Sequence, residues 1–257
     1  MGAGTELGYA LGRALAQVQP DSEYLFADEA RTLSASQRLS QLAHLGEVME
    51  LPWTASSLVE AVLAEADLVV VIPDGRMEAG EMIGAAASFV RNALVGGRPV
   101  ILWSDSFVYG PCQLVPTEQS PIHPPTERAA ALAAIETAAL LLGQVHRVPV
   151  WVLRPPLLWG PGLVERPSEL IKPDPVEPTL YELLHIEDAA RYVHRMAEVE
   201  LASGIYNLGP GDRVVDAYLG GRRTPILPRR ALRVVDASKL MQALDPMPVR
   251  RHRLAQG

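Results

Sequence analysis

Three short apolar runs recur along the chain: "DLVVVIP" (67–73), "RPVILWS" (98–104) and "VPVWVLR" (148–154). Each ends in polar or turn residues. Continuous apolar runs of this length read as strands buried on both faces, as in a parallel sheet. Between and around them lie stretches with helical patterning, "SSLVEAVLAEA", "GEMIGAAASFVRNALVGG" and "TERAAALAAIETAALLLG". The last two close with glycine, the residue favoured just past a helix end. Thr126 is placed to N-cap the third, with Glu127 favourable in its first turn. Strands that alternate with helices predict an α/β, doubly wound, mostly parallel sheet. "EYLFA" adds a short strand, "LYELLHIEDAARYVHRMAEV" a further helix entered through His185 and Glu187, and "GIYNLGPGDRVV" a strand, turn and strand.

Length and charge narrow the possibilities. With 257 residues the chain suits a single unit with an ample core. A net charge of −7 argues against a nucleic-acid partner, because phosphate binding needs a basic face. The single cysteine, Cys112, excludes an intrachain disulfide and a cysteine-rich metal site, and a reducing cytoplasm is the expected home. The histidines show no metal-ligand spacing, so no metal is expected. No membrane span is expected either: the longest apolar candidate, about 129–142, is interrupted by Glu136.

The chain opens on "MGAGTELGYALGRALAQ". Gly2, Gly4 and Gly8 precede an amphipathic helix whose first turn can receive a pyrophosphate on free N–H groups. Asp28 follows the "EYLFA" strand, 20 residues after Gly8. An acid at that distance reaches the adenosine ribose hydroxyls in a Rossmann-type fold. The residues therefore point to a dinucleotide site at Gly2, Gly4, Gly8 and Asp28. NAD or NADP is the expected cofactor, with NAD favoured because a carboxylate at Asp28 repels a 2′-phosphate. One part is missing: only Met1 precedes the glycines, where such a motif follows a central strand. The sheet is expected either to lack that strand, through a truncated start, or to have another segment in its place.

Several segments resemble the extended short-chain dehydrogenase/reductases, the NAD-dependent epimerase/dehydratase family. "SDSFVYG" is similar to that family's strand end, which closes on Val-Tyr-Gly. "PTEQSPIHPPTERAAALAAIE" resembles its proline-rich loop leading into the catalytic helix. "VLRPPLLWGPG", "LLHIEDAARYV", "GIYNLGPG" and "VVDASKLMQALDPMPV" resemble later segments, in the family's order. The resemblance implies a Rossmann core of about residues 1–159 plus 182–209, and a small C-terminal lobe of about 160–181 and 210–257. It also implies a homodimer through the helix of about 129–142 and its neighbour at about 80–94.

The resemblance fails where the family does its chemistry. Aligning the family's helix glutamate with Glu136 puts Leu132 at the lysine position and Arg128 at the tyrosine position. Asp105 stands where a serine or threonine is expected. Hydride transfer at an alcohol carbon needs a group that exchanges the hydroxyl proton, and a tyrosine tuned by a lysine does this near neutral pH. Arginine is always protonated and leucine tunes nothing. Catalytic residues are therefore not assigned. Asp105, Tyr109 and Arg128 are the candidate ligand cleft, with Asp105 and Arg128 either an inert ion pair or a site for a polar or anionic small molecule. The expected function is a dinucleotide-binding or regulatory protein without ordinary redox turnover. The alternative is an active oxidoreductase or epimerase, or a cofactor-independent lyase or isomerase, with displaced acid/base groups.

Overall fold

The structure is a computed structural model. It describes residues 1–53, 56–111, 114–166, 170, 180–209, 212–215 and 232–244. Cys112 and much of the lobe expected at about 160–181 and 210–257 lie outside the described residues.

The elements run α1 (Glu6–Val18), β1 (Leu25–Asp28), α2 (Leu33–Gln41), β2 (Glu47–Glu50), α3 (Ser56–Leu63), β3 (Val69–Val71), α4 (Ala79–Val95) and β4 (Val100–Trp103). A 3-10 turn (Ser106–Tyr109) leads to α5 (Glu127–His146) and β5 (Val150–Arg154). Then come β6 (Leu157–Trp159), β7 (Leu180–His185), α6 (Ile186–Glu198), β8 (Gly204–Asn207), β9 (Asp212–Val215), β10 (Leu232–Arg233) and α7 (Ser238–Leu244).

The three apolar runs became the heart of a parallel sheet in the order β3-β4-β5-β8. Every residue of β4 and β5 is buried, as expected of strands covered on both faces. On one face α3, α4 and α5 pack around Phe89, Val90, Ile135 and Val152. On the other, α1, α6 and α7 pack around Leu11, Ile101, Trp103 and Tyr192. This is the doubly wound α/β architecture. A second sheet joins β6, β7 and β10, with β9 antiparallel to β7. It draws on residues 157–159 and 182–185, inside the stretches assigned above to the core.

β1 and β2 pair only with each other. Between β1 and β3, where a Rossmann sheet carries its central strand, Met1–Ala3 make the connection. The Met1 amine donates to Val70 O (2.8 Å), Ile72 N donates to Met1 O (3.1 Å), and Ala3 N donates to Ala27 O (3.2 Å). Among the described residues a three-residue segment, Met1–Ala3, thus bridges β1 and β3, and no strand is assigned between them.

One helix end differs from its sequence reading. α4 closes on Gly96 and Gly97, the latter at φ +74°, as predicted. α5 runs on past Gly143 to His146, and Arg147 takes the left-handed conformation at φ +56°. Gly143 serves packing instead: a Cβ there would lie 2.6 Å from Val150 Cγ2. α5 is long and apolar enough to cross a membrane by length and composition, but it packs against α4 and β5 and buries Glu136.

Candidate active site

The glycine turn and Asp28 meet at the carboxyl end of β1. Gly4 N donates to Asp28 Oδ2 (2.8 Å) and Glu29 N donates to Oδ1 (2.8 Å), so the buried carboxylate holds the turn from below. Burial raises its pKa above the ordinary aspartate value, against the pull of the Glu29 amide, the N-terminal amine and the Gly4 amide. Thr5 caps α1: its Oγ1 accepts from Gly8 N (2.9 Å) and donates to Gly2 O (2.8 Å). Gly8 must be glycine, because a Cβ would stand 1.9 Å from Gly2 O. With Gly4 N, Thr5 N and Gly8 N engaged, the first-turn amides of Glu6 and Leu7 have no acceptor among the described residues. They point to the anion-binding end of α1, and this cradle fits the pyrophosphate of a dinucleotide.

Sequence reading missed most of the charged rim. The turn after β3, "PDGR", places Asp74 and Arg76 two residues apart. Arg76 Nε and Nη2 donate to the Asp74 carboxylate at 2.8 and 2.6 Å, and Nη1 reaches Thr32 Oγ1 at 3.2 Å. Burial alone would raise Asp74, but the Arg76 bonds outweigh it and hold the carboxyl below the ordinary value. Arg38 pairs with Glu6 (3.0 Å), and Arg31 pairs with Glu29 (2.7 Å) and Glu81. The arginines around Asp28 therefore already have carboxylate partners.

Further along the cleft, one face of α5 carries Arg128, Leu132 and Glu136 at i, i+4 and i+8. Thr126 caps the helix as predicted, accepting from Ala129 N (3.2 Å). Glu136 is buried and receives Arg154 Nε (3.0 Å), Arg154 Nη2 and Ser104 Oγ at the ends of β4 and β5. Leu132 packs into the core. Arg128, at the open end, lies flat on the turn after β3: a Cβ on Gly75 would be 2.4 Å from its Cζ and 2.7 Å from each Nη.

The candidate cleft residues are not drawn into one cluster. Asp105 caps the 3-10 turn, accepting from Phe107 N (2.8 Å), and no ion pair joins it to Arg128 among the described residues. Tyr109 is buried under the Arg154 guanidinium, 4.7 Å from its ring centroid, and donates to Asn207 Oδ1 (2.8 Å). Burial raises its hydroxyl above the ordinary tyrosine value despite Arg154, which suits a fixed donor better than a proton shuttle. His185 caps α6, its Nδ1 accepting from Glu187 N (3.3 Å). No cluster of three or more potential metal ligands occurs among the described residues.

No family model and no curated protein matches the chain. Solved structures do. UDP-glucuronic acid 4-epimerase from Bacillus cereus in complex with NAD is similar at 16% identity, over 96% of this chain and 92% of that one, with a TM-score of 0.72. DesIV, a dTDP-glucose 4,6-dehydratase from Streptomyces venezuelae with NAD and TYD bound, is similar at 18%, over 94% and 88%, with a TM-score of 0.73. MoeE5 in complex with UDP-glucuronic acid and NAD gives 20%, 95%, 90% and 0.70. This chain has their fold. At these identities the likeness is one of architecture, so the residues of the cleft have to carry the chemistry themselves.

Proposed function

We propose that this protein binds a nicotinamide dinucleotide, NAD in preference to NADP, in an epimerase/dehydratase-type cleft, and does so without ordinary alcohol–ketone turnover. The observation that carries the binding reading is the junction of Gly4 N and Asp28 Oδ2 (2.8 Å), which sets a carboxylate beneath the glycine turn at the end of β1. There it repels a 2′-phosphate, and its remaining lone pairs accept ribose hydroxyls. The cofactor would supply the hydride chemistry. Among the described residues, the positions that would move the accompanying proton hold an arginine, Arg128, and a packed leucine, Leu132, while Tyr109 is tied to Asn207. A homodimer through α4 and α5, whose outer faces expose Val95, Leu141 and Val145, belongs to the same reading.

Thermal unfolding with NAD and with NADP tests the binding. A ligand at a hundred times its Kd adds about 2.7 kcal/mol, so NAD should raise Tm clearly and NADP less. A larger rise with NADP reverses the preference, and no rise with either removes the site. A second reading is an active epimerase or oxidoreductase with displaced acid/base groups. It draws support from the likeness to epimerases and dehydratases solved with NAD. Turnover above about 1 s⁻¹, within the usual enzyme range, on sugar nucleotides would establish it over the first.

A further inference from the structure

We propose that Arg128 recognises an oxyanion, so that the small molecule taken beside the dinucleotide is acidic at the position facing α5. This rests on the dinucleotide reading above and adds the class of the second ligand.

Four observations converge. First, the position is fixed: Thr126 sets the start of α5, and Glu136, locked to Arg154 and Ser104, pins the same helix face. Second, the guanidinium lies against Gly75, where a Cβ would stand 2.4 Å from its Cζ. Third, the nearest turn offers no counter-charge. Asp74 is committed to Arg76, and no carboxylate lies within 4.0 Å of Arg128 among the described residues. Fourth, Arg128 stands in the first turn of a 20-residue helix, where the helix dipole opposes a cation. A cation placed against the dipole, exposed and without a carboxylate partner among the described residues, gains most from a bound anion. The guanidinium fork matches a carboxylate with two parallel N–H···O bonds. An arginine standing where the family has a tyrosine can still select a ligand by charge.

The test compares two sugar nucleotides that differ only in this respect, UDP-glucuronate and UDP-glucose, titrated into NAD-loaded protein by calorimetry. Charge-assisted hydrogen bonds predict a preference of about tenfold or more for the glucuronate. Arg128→Gln should bring the two affinities together, and Arg128→Lys should restore part of the difference. Gly75→Ala, which keeps Arg128 but crowds its guanidinium, should also shrink the preference. Equal affinities in the unaltered protein, a preference that survives Arg128→Gln, or no binding of either sugar nucleotide would overturn the proposal. NAD binding is measured first and by itself. Its absence sinks the dinucleotide reading, and the same pair titrated without NAD then decides whether Arg128 selects an anion.

Discussion

At the residue scale, the glycines divide into those that permit a backbone contact and those that do not. Gly8 faces Gly2 O, Gly2 C and Ala3 Cα, all backbone atoms within 2.8 Å of where a Cβ would stand. Nothing there can rotate away, so Gly8→Ala should cost about 1–3 kcal/mol, as overpacking does, and lower the urea midpoint. Gly80, in the first turn of α4, meets nothing within 4 Å. Gly80→Ala should leave stability unchanged or raise it by up to about 1 kcal/mol through helix propensity. A Gly8→Ala protein as stable as Gly80→Ala would show that the turn is not held as described. The sequence announced Gly8 through its place before a helix. It could not announce Gly75, which meets the guanidinium of Arg128, 53 positions away. Nor could it separate a helix-ending glycine from a packing one: Gly143 sits where a helix end was expected, and only contact with Val150 reveals its role.

At the element scale, the alternation of apolar runs and amphipathic stretches made the main sheet legible, because buried strands and covering helices each leave a period in the sequence. The Asp74–Arg76 pair left no such mark, since a turn has no period. The short bridge between β1 and β3 is made by Met1–Ala3. Its structural consequence falls on Met1, whose amine is enclosed between β1 and β3 and pushed down by burial from 8.0 to about 6. The folded state therefore holds fewer protons than the unfolded chain between those values, so stability declines as the pH falls from about 8 to about 6 and levels off below. Five alternating Val and Ile residues added ahead of Met1 would turn the amine into a peptide N–H and pair both strand edges. Tm should rise and the slope between pH 6 and 8 should vanish. An unchanged Tm would mean that the edges of β1 and β3 do not receive a strand.

At the scale of the whole molecule, the fold was readable and the reaction was not. Six segments in family order were enough for the architecture, but Asp105, Arg128 and Leu132 depart from the family pattern at the positions that would name a mechanism. The homodimer reading is tested by mass in solution: light scattering should give twice the 27.8 kDa of one chain, and a value near one chain would count against an α4–α5 interface.

The division of the parallel sheet bears on how long the protein survives in a cell. β1, α2 and β2 are joined to the rest by the backbone bonds of Met1–Ala3 and by side-chain pairs such as Arg38–Glu6, without a continuous ladder to β3, and a unit joined in this way opens more readily than the main sheet. A dinucleotide seated on the glycine turn would lie across that seam and hold it shut. Occupancy would then govern exposure to proteases, since cleavage follows the population of opened chains. Cells short of the ligand would hold less of the protein, whatever the rate of its synthesis.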